Sequence, residues 1–229
     1  MLIADAGSTW CKLYDAERGA REVFPTQLLR TRNPAFAIAT GHSAKPYSRR
    51  FENELLALAE GSRSLVGDEM EYTVVDVGSR DIKYVKFHKG KAANIDWTTG
   101  CASSTGATIE MLARFYNLDF STIELSESYI NVTCGTFGLE KIMDMVAAGE
   151  SASLAVSMFV HGLVRNILNF LSYPEKLYLS GGFCENPLFT GYLAKYCDPF
   201  PLGRFVLIEG LCSIANVKPA SRNEREKMQ

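Results

Sequence analysis

No two of the six cysteines stand in a CxxC pair. That removes the usual one-chain zinc site, whose ligands come in close pairs. A Walker P-loop, a GxSxG elbow and an HExxH helix are also missing, so the common sequence signatures of P-loop phosphate binding, serine hydrolysis and zinc proteolysis are absent. His42, His88 and His161 are the only histidines, and none has a carboxylate or nucleophile at motif spacing. None is assigned a catalytic role. There is no basic stripe: 24 Lys and Arg stand against 26 Asp and Glu, a net charge of −2, which leaves a nucleic acid without the phosphate-neutralising charge it needs. The opening MLIADAGS has neither the basic n-region nor the small-residue cleavage site of a secretory signal. The longest apolar stretch, Leu154 to Leu171, is interrupted by His161, Arg165 and Asn166. Such residues are costly in a bilayer, so a core helix is expected there and no membrane span. These absences lead to the expectation of a cytoplasmic protein without nucleic-acid or membrane partners.

In a reducing compartment disulfides are not the use of cysteine. Cys197 and Cys212 read as small buried hydrophobes, and Cys11 and Cys184 fit the same account. The composition, 47% hydrophobic and 22% charged over 229 residues, suffices for a sizeable core in one large or two small domains. The end, Ser221 to Gln229, mixes both signs of charge and reads as a solvated tail.

Patterning divides the chain into strands first and helices later. Leu2 to Asp5 is apolar, Gly7 to Thr9 turns, Trp10 to Asp15 alternates, and Glu22 to Phe24 follows a second turn at Glu17 to Gly19. Residues 51 to 60 have near-helical leucine spacing, with Gly61 as the expected stop. The strand pattern then returns: an apolar strand ending at Asp76, a turn at Gly78 and Ser79, an alternating strand from Ile82 to Phe87, and a third strand after Lys89 and Gly90. Helical patterns cover Ser103 to Tyr116, with Ile109, Leu112, Ala113 and Tyr116 on one face, then Phe137 to Ala148 and Leu154 to Leu171. The strand Leu177 to Ser180 runs into Gly181 and Gly182, and a last helix is expected from Glu209 to Val217.

Setting DAGSTWCKLYD beside DVGSRDIKYVK aligns Asp5 with Asp76, Gly7 with Gly78, Ser8 with Ser79 and Lys12 with Lys83, about seventy residues apart. An aspartate at a strand end can hold Mg²⁺, directly or through water. The glycine after it permits a sharp turn that presents successive N–H groups to an anion, and a hydroxyl adds one more donor. A single DxG is most often an ordinary hairpin turn. Two copies followed by an LSGG strand-turn favour nucleotide binding, with Asp5 and Asp76 flanking a metal ion.

DAGST, DVGSRD and LSGG resemble, in order, the two phosphate motifs and the adenosine motif of the actin-like ATPase superfamily. From Val74 to Pro187 the chain is similar to the BadF/BcrA family, the activators of 2-hydroxyacyl-CoA dehydratases and benzoyl-CoA reductases. DVGSRDIK (Asp76 to Lys83) resembles the family's DIGGQDxK, CASSTGATIEMLA (Cys101 to Ala113) its CAAGTGxxLExMA, SGGFCENP (Ser180 to Pro187) its TGGVAKNP, and ATGHS (residues 39 to 43) its VTGYG. The resemblance implies an α/β protein of the actin/Hsp70/sugar-kinase, ribonuclease H-like fold, with two related lobes around a nucleotide cleft. The lobes would be residues 1–68, with a C-terminal helix in 203–220 packing back on them, and residues 69–202, leaving 221–229 as the tail.

The implied activity is that of an ATPase coupling ATP turnover to low-potential electron transfer toward a partner dehydratase or reductase, recharged by a ferredoxin or flavodoxin. Asp5 and Asp76 would position Mg²⁺ and the attacking water. Gly7, Ser8, Thr9, Lys12, Gly78, Ser79 and Gly106 would surround the phosphates, and Gly181 and Gly182 the adenosine. Asn186 either contacts base or ribose or is an ordinary turn residue; Glu110 either reaches the ribose hydroxyls or is an exposed helix residue. In the family a homodimer shares one 4Fe–4S cluster, two cysteines from each subunit, and the matching positions are Cys101 and Cys134, the latter in INVTCGTFG. Four thiolates suit such a cluster, and a two-fold axis can supply the second pair.

The chain departs from the family at Ser79 and Arg80, which stand for Gly and Gln, and at Ser104, which stands for Gly. ELLALAEG replaces the helix that usually carries a cysteine–histidine pair. Arg80 is either a further phosphate clamp or a solvated turn residue. The readings that compete with the activator are a small-molecule kinase of the same fold, like type III pantothenate kinase or N-acetylglucosamine kinase, and a degenerate nucleotide-binding protein without turnover.

Overall fold

The structure, a computed structural model, describes residues 1–98, 106–132 and 135–218. The first helical residues expected from Ser103 and the tail from Ser221 lie outside that set. In chain order the first elements are β1 (Leu2–Ala6), β2 (Trp10–Asp15), β3 (Ala20–Pro25), α1 (Leu29–Arg32), β4 (Phe36–Thr40), β5 (Ser48–Phe51) and α2 (Glu54–Val66). They are followed by β6 (Tyr72–Val77), β7 (Ile82–His88), β8 (Lys91–Trp97), α3 (Gly106–Tyr116), α4 (Gly135–Ala147) and α5 (Ala152–Phe170). The last are β9 (Lys176–Ser180), α6 (Pro187–Leu193), β10 (Asp198–Gly203) and α7 (Val206–Ile214). They form two compact units, one of Met1–Glu71, Phe87–Ala93 and the chain from Arg204, the other of Tyr72–Lys86 and Asn94–Gly203.

In the first unit the sheet order is β3-β2-β1-β4-β5. β1 pairs antiparallel with β2 and parallel with β4, and β4 pairs parallel with β5. Ile3 to Ala6 are all buried, as a central strand covered on both faces requires. A core of Ala4, Ala6, Cys11, Phe24, Leu29 and Phe36 lies against it. α7 packs on β1 and on α2.

Here one expectation is overturned. Asn53 caps α2, its Oδ1 accepting from the Leu55 N–H at 2.8 Å, and the helix runs through Gly61 to stop at Gly67, which has φ 79°. Gly61 is a contact residue, because a Cβ there would lie 1.9 Å from the Val206 carbonyl oxygen. On α7, a Cβ at Gly210 would lie 1.9 Å from the Ala57 carbonyl oxygen. The two helices cross with backbone against backbone, which side chains would forbid.

The second sheet has the order β10-β9-β6-β7-β8, with β6 parallel to β9 and β9 parallel to β10. Read from the third strand of each hairpin meander, the two sheets have the same order, so the duplication seen at the hairpins extends to five strands. All six residues of β6 are buried. β7 and β8 join through Lys89 and Gly90 at φ 50° and 70°, the left-handed pair that a tight two-residue hairpin demands. β8 is exposed along its whole length and bears Lys91 and Asp96 at the sheet edge.

α5 is the spine of the larger core. Ser151 caps it, accepting from the Leu154 N–H at 3.2 Å, and Phe159, Val160, Leu163, Val164, Ile167 and Leu168 are buried. His161 belongs to this structural account: its Nδ1 donates to the Ser128 carbonyl at 3.1 Å and its Nε2 accepts from the Tyr196 hydroxyl at 2.6 Å. Ile109 and Leu112 are the buried face of α3. Among the described residues no helix is long and apolar enough to cross a membrane.

Candidate functional site

Each hairpin closes in the same way. The N–H of Gly7 donates to the carbonyl of Trp10 at 3.1 Å, and the N–H of Gly78 donates to the carbonyl of Asp81 at 3.0 Å. A Cβ on either glycine would press on that same carbonyl, at 3.3 and 3.0 Å. The glycines therefore shape the turns, and their own amides are engaged within them. Ser8 is exposed at the tip, Thr9 and Ser79 are half-buried, and Arg80 is exposed.

The aspartates stand one residue before the end of their central strands, and both are buried, Asp5 at 4% exposure and Asp76 at 5%. Their partners differ. On β2 the register places Lys12 opposite Asp5, and Lys12 Nζ pairs with Asp5 Oδ2 at 2.7 Å. In the second hairpin Lys83 Nζ pairs with Asp81 Oδ1 at 2.5 Å. Across the sheet, Asp5 faces Thr40 on β4 and Asp76 faces Ser180 on β9. Thr40 Oγ1 donates to the Glu52 carbonyl at 2.8 Å, whereas Ser180 Oγ donates to Asp76 Oδ1 at 2.7 Å.

A glycine follows in both places, Gly41 at φ 97° and Gly181 at φ 95°. A Cβ on Gly41 would lie 2.5 Å from the Ala6 carbonyl, and one on Gly181 would lie 2.6 Å from the Val77 carbonyl oxygen. The repeated unit is thus larger than the DxGS hairpin: it includes the parallel neighbour's hydroxyl residue and a left-handed glycine against the residue after the aspartate. Sequence reasoning missed Thr40, Gly41 and Ser180 as members. A signal existed, since FAIATG and KLYLSG each end an apolar strand in a hydroxyl residue and a glycine.

Around the first turn, Thr26 Oγ1 donates to the Gly7 carbonyl and the Thr26 N–H to the Thr9 carbonyl, both at 2.9 Å. The first unit thus gathers Asp5, Gly7, Ser8, Thr9 and Lys12. Around the second turn sits the start of α3, where the Gly106 N–H donates to the Gly78 carbonyl at 3.3 Å and the Ala107 N–H to the Ser79 carbonyl at 3.2 Å. The second unit gathers Asp76, Gly78, Ser79, Gly106 and Gly181. Gly182 is exposed just beyond, and Glu110 is half-buried one turn along α3. Asn186 is the cap of α6, its Oδ1 accepting from the Phe189 N–H at 3.0 Å.

Cys101 and Cys134 lie outside the described residues. Among those described, no group of three or more His, Cys, Asp or Glu is placed to hold a metal ion. Cys11, Cys184 and Cys212 are buried and Cys197 is partly so. Burial, reinforced by the charge of Asp5, pushes the Cys11 thiol up to about 12, so it stays protonated and inert at neutral pH.

Two five-stranded mixed sheets with helices, each carrying an aspartate hairpin beside a left-handed glycine, constitute the actin-like ATPase fold, which sugar kinases share. No family model matches the chain. In sequence the chain is similar to the (R)-2-hydroxyglutaryl-CoA dehydratase activating ATPase of Acidaminococcus fermentans, 23% identical over 181 residues that cover 74% of this chain and 69% of that one. In structure it resembles the activator of 2-hydroxyisocaproyl-CoA dehydratase from Clostridium difficile, solved with bound ADPNP, at a TM-score of 0.75 and 17% identity over 99% of this chain and 97% of that one. A ROK family glucokinase from Streptomyces griseus, solved with glucose and AMPPNP, has a TM-score of 0.51 at 10% identity, covering 93% and 99%. The motif resemblance to the dehydratase activators is thereby borne out.

Proposed function

We propose that this chain is an ATPase that binds Mg²⁺-ATP through both aspartate hairpins and acts as the activator of a partner dehydratase. The observation that carries the reading is the matched pair of hairpins, Asp5–Trp10 and Asp76–Asp81, each closed by its glycine N–H and each backed by a left-handed glycine. A matched pair of this kind is what a protein needs to hold one triphosphate at more than one place. Sequence similarity to a dehydratase activating ATPase supports the activator role over sugar phosphorylation.

The residues divide the work. Asp5 and Asp76 would hold the magnesium ion, directly or through water; buried carboxylates at strand ends, one of them already hydrogen-bonded by a neutral hydroxyl, suit a hard cation. The ion supplies charge neutralisation of the triphosphate. Because the Gly7 and Gly78 amides are engaged in their turns, phosphate contact falls to the residues next along, Ser8 and Thr9 on one hairpin and Ser79 on the other. Lys12 holds Asp5 in place by its ion pair and brings a positive charge next to the first turn. Gly106, whose N–H donates to the Gly78 carbonyl, would seat the start of α3 on the second turn and hold that turn in shape beside the phosphates. Gly181 and Gly182 let the adenosine approach the end of β9, and Glu110 reaches its ribose. Phosphoryl transfer needs mainly such positioning and charge stabilisation, so no covalent nucleophile is required.

From the family resemblance we further propose that Cys101 and Cys134 of two copies share a 4Fe–4S cluster, which when bound supplies one-electron transfer to the partner, with a ferredoxin or flavodoxin as donor. Both cysteines are outside the described residues, and no step is assigned to them.

Purification without oxygen, followed by iron and sulfide analysis and an ATPase assay, tests the reading. The expected result is a brown protein with about two irons per chain and an ATPase activity lost in Asp5→Asn and Asp76→Asn. A colourless protein that phosphorylates a metabolite would replace the activator with a kinase. Nucleotide affinity without turnover would leave a binding protein only.

A further inference from the structure

We propose that Ser180 is a positioning residue for Asp76, fixing the carboxylate that carries the metal, a task that at Asp5 falls to Lys12 and not to the matching hydroxyl of Thr40. The inference rests on the Mg²⁺-nucleotide reading and refines it.

Asp76 and Ser180 are directly paired across β6 and β9, and Ser180 is wholly buried. Its hydroxyl donates to Asp76 Oδ1 at 2.7 Å. On the same side, the bare Cα of Gly181 closes up: a Cβ there would come within 3.1 Å of that oxygen. Oδ1 is thus held by a donor and walled by backbone, which fixes the plane of the carboxylate and leaves Oδ2 as the other oxygen. A ligating carboxylate oriented by a hydrogen bond from behind is a recurrent design in metal sites, and loss of the outer partner typically weakens metal binding 10- to 100-fold.

The comparison with Asp5 gives the inference its content. By register Thr40 occupies the place of Ser180, yet its hydroxyl is turned to the Glu52 carbonyl. Asp5 is held by Lys12, a cation, so its negative charge is largely compensated by its own neighbour. Asp76 Oδ1 is held by the neutral hydroxyl of Ser180. The two halves of the repeat therefore differ in the side chains that hold their aspartates although they agree in backbone, and Ser180 is what aims the second.

The test is titration of the full chain with a non-hydrolysable ATP analogue, with and without Mg²⁺, for wild type, Ser180→Ala, Ser180→Thr, Asp76→Asn and the Ser180→Ala/Asp76→Asn pair. Ser180→Ala is expected to weaken Mg²⁺-dependent binding about tenfold while metal-free binding stays within about twofold, and Ser180→Thr, which keeps the hydroxyl, is expected to retain most of the affinity. In the Asp76→Asn background Ser180→Ala should add nothing, since its effect runs through that carboxylate. Melting temperature checks that each variant folds. Should Ser180→Ala fail to fold, Ser180→Cys, a much weaker donor of similar shape, is read by the same criterion. Equal loss with and without Mg²⁺, or no loss at all, would overturn the proposal while leaving the nucleotide reading intact. A wild-type chain that binds no nucleotide under either condition would overturn both.

Discussion

Replacing Gly61 with alanine ought to improve α2 by helix propensity alone, by about 1 kcal/mol. The crossing with α7 predicts the opposite. An ordinary carbon contact begins at 3.4 Å, and the new methyl would lie 1.9 Å from the Val206 oxygen, so the helices must part by about 1.5 Å. The obstacle is backbone on the neighbouring helix, which cannot swing aside as the end of a side chain can. The same separation loosens Leu58, Leu207 and Leu211, all buried in the first unit. Overpacking of this kind costs about 3 kcal/mol, leaving a net destabilisation of about 2 kcal/mol after the propensity gain. For a chain of this size that lowers the melting temperature by roughly 4–8 °C. Urea titration followed by circular dichroism, with Ser64→Ala on the exposed face of α2 as control, separates the two effects: the control should be neutral or slightly stabilising. A Gly61→Ala protein as stable as wild type would refute the backbone crossing and with it the reason α2 continues past Gly61.

Other outcomes follow from single positions. Gly181→Ala, with φ 95° and a 2.6 Å encounter with the Val77 oxygen, should destabilise by about 3 kcal/mol, whereas Gly182→Ala, which has nothing within 4 Å, should stay within about 0.5 kcal/mol; denaturant midpoints of the pair decide. Ser151→Ala removes the cap of α5 and should cost about 1 kcal/mol by the same measurement. Cys11 gives a pH signature. Its thiol is raised from 9.0 to about 12 in the folded chain, so between those values the unfolded state has released a proton that the folded state keeps. Its contribution is complete below pH 9 and lost as pH rises, on the order of 2 kcal/mol by about pH 10.5. Urea midpoints across pH 8–10.5 should fall less steeply in Cys11→Ala, and equal slopes would refute the shift.

Much of the fold was legible because short-range chemistry set it. DAGS and DVGS announce a strand, a turn and a second strand, and β1, β2, β6 and β7 lie within a residue or so of where alternation and turn residues put them. Helical periodicity placed α4 and α5 for the same reason, the burial of one face. Three kinds of feature were not legible. β4, β5 and β10 are short and pair in parallel, so they lack the tight turn that marks a hairpin, and the hydroxyl–glycine end of FAIATG is a weaker cue than DxGS. Gly61 looked like a stop because its role depends on Gly210, some 150 residues further on. α7 begins at Val206, before the expected Glu209, because VLIEG is buried all round and carries no amphipathic pattern to read. At the site, the hairpin members were found from spacing, whereas the Ser180 hydroxyl on Asp76 required the sheet register to be seen.

The same contrast bears on how the duplicated halves came to differ. Backbone features agree in both: the glycine that closes the turn, the strand order, the left-handed glycine after the parallel neighbour. These are steric conditions that few side chains can meet, so they persist wherever the fold does. Side-chain partners of the aspartates have diverged, Lys12 on one and Ser180 on the other. A repeat kept only for folding would have no reason to hold two buried carboxylates at all, since a buried charge costs more than an apolar residue in the same place. Each half keeps one, Asp5 beside a lysine and Asp76 beside a hydroxyl, which under the proposed function gives each carboxylate work to do.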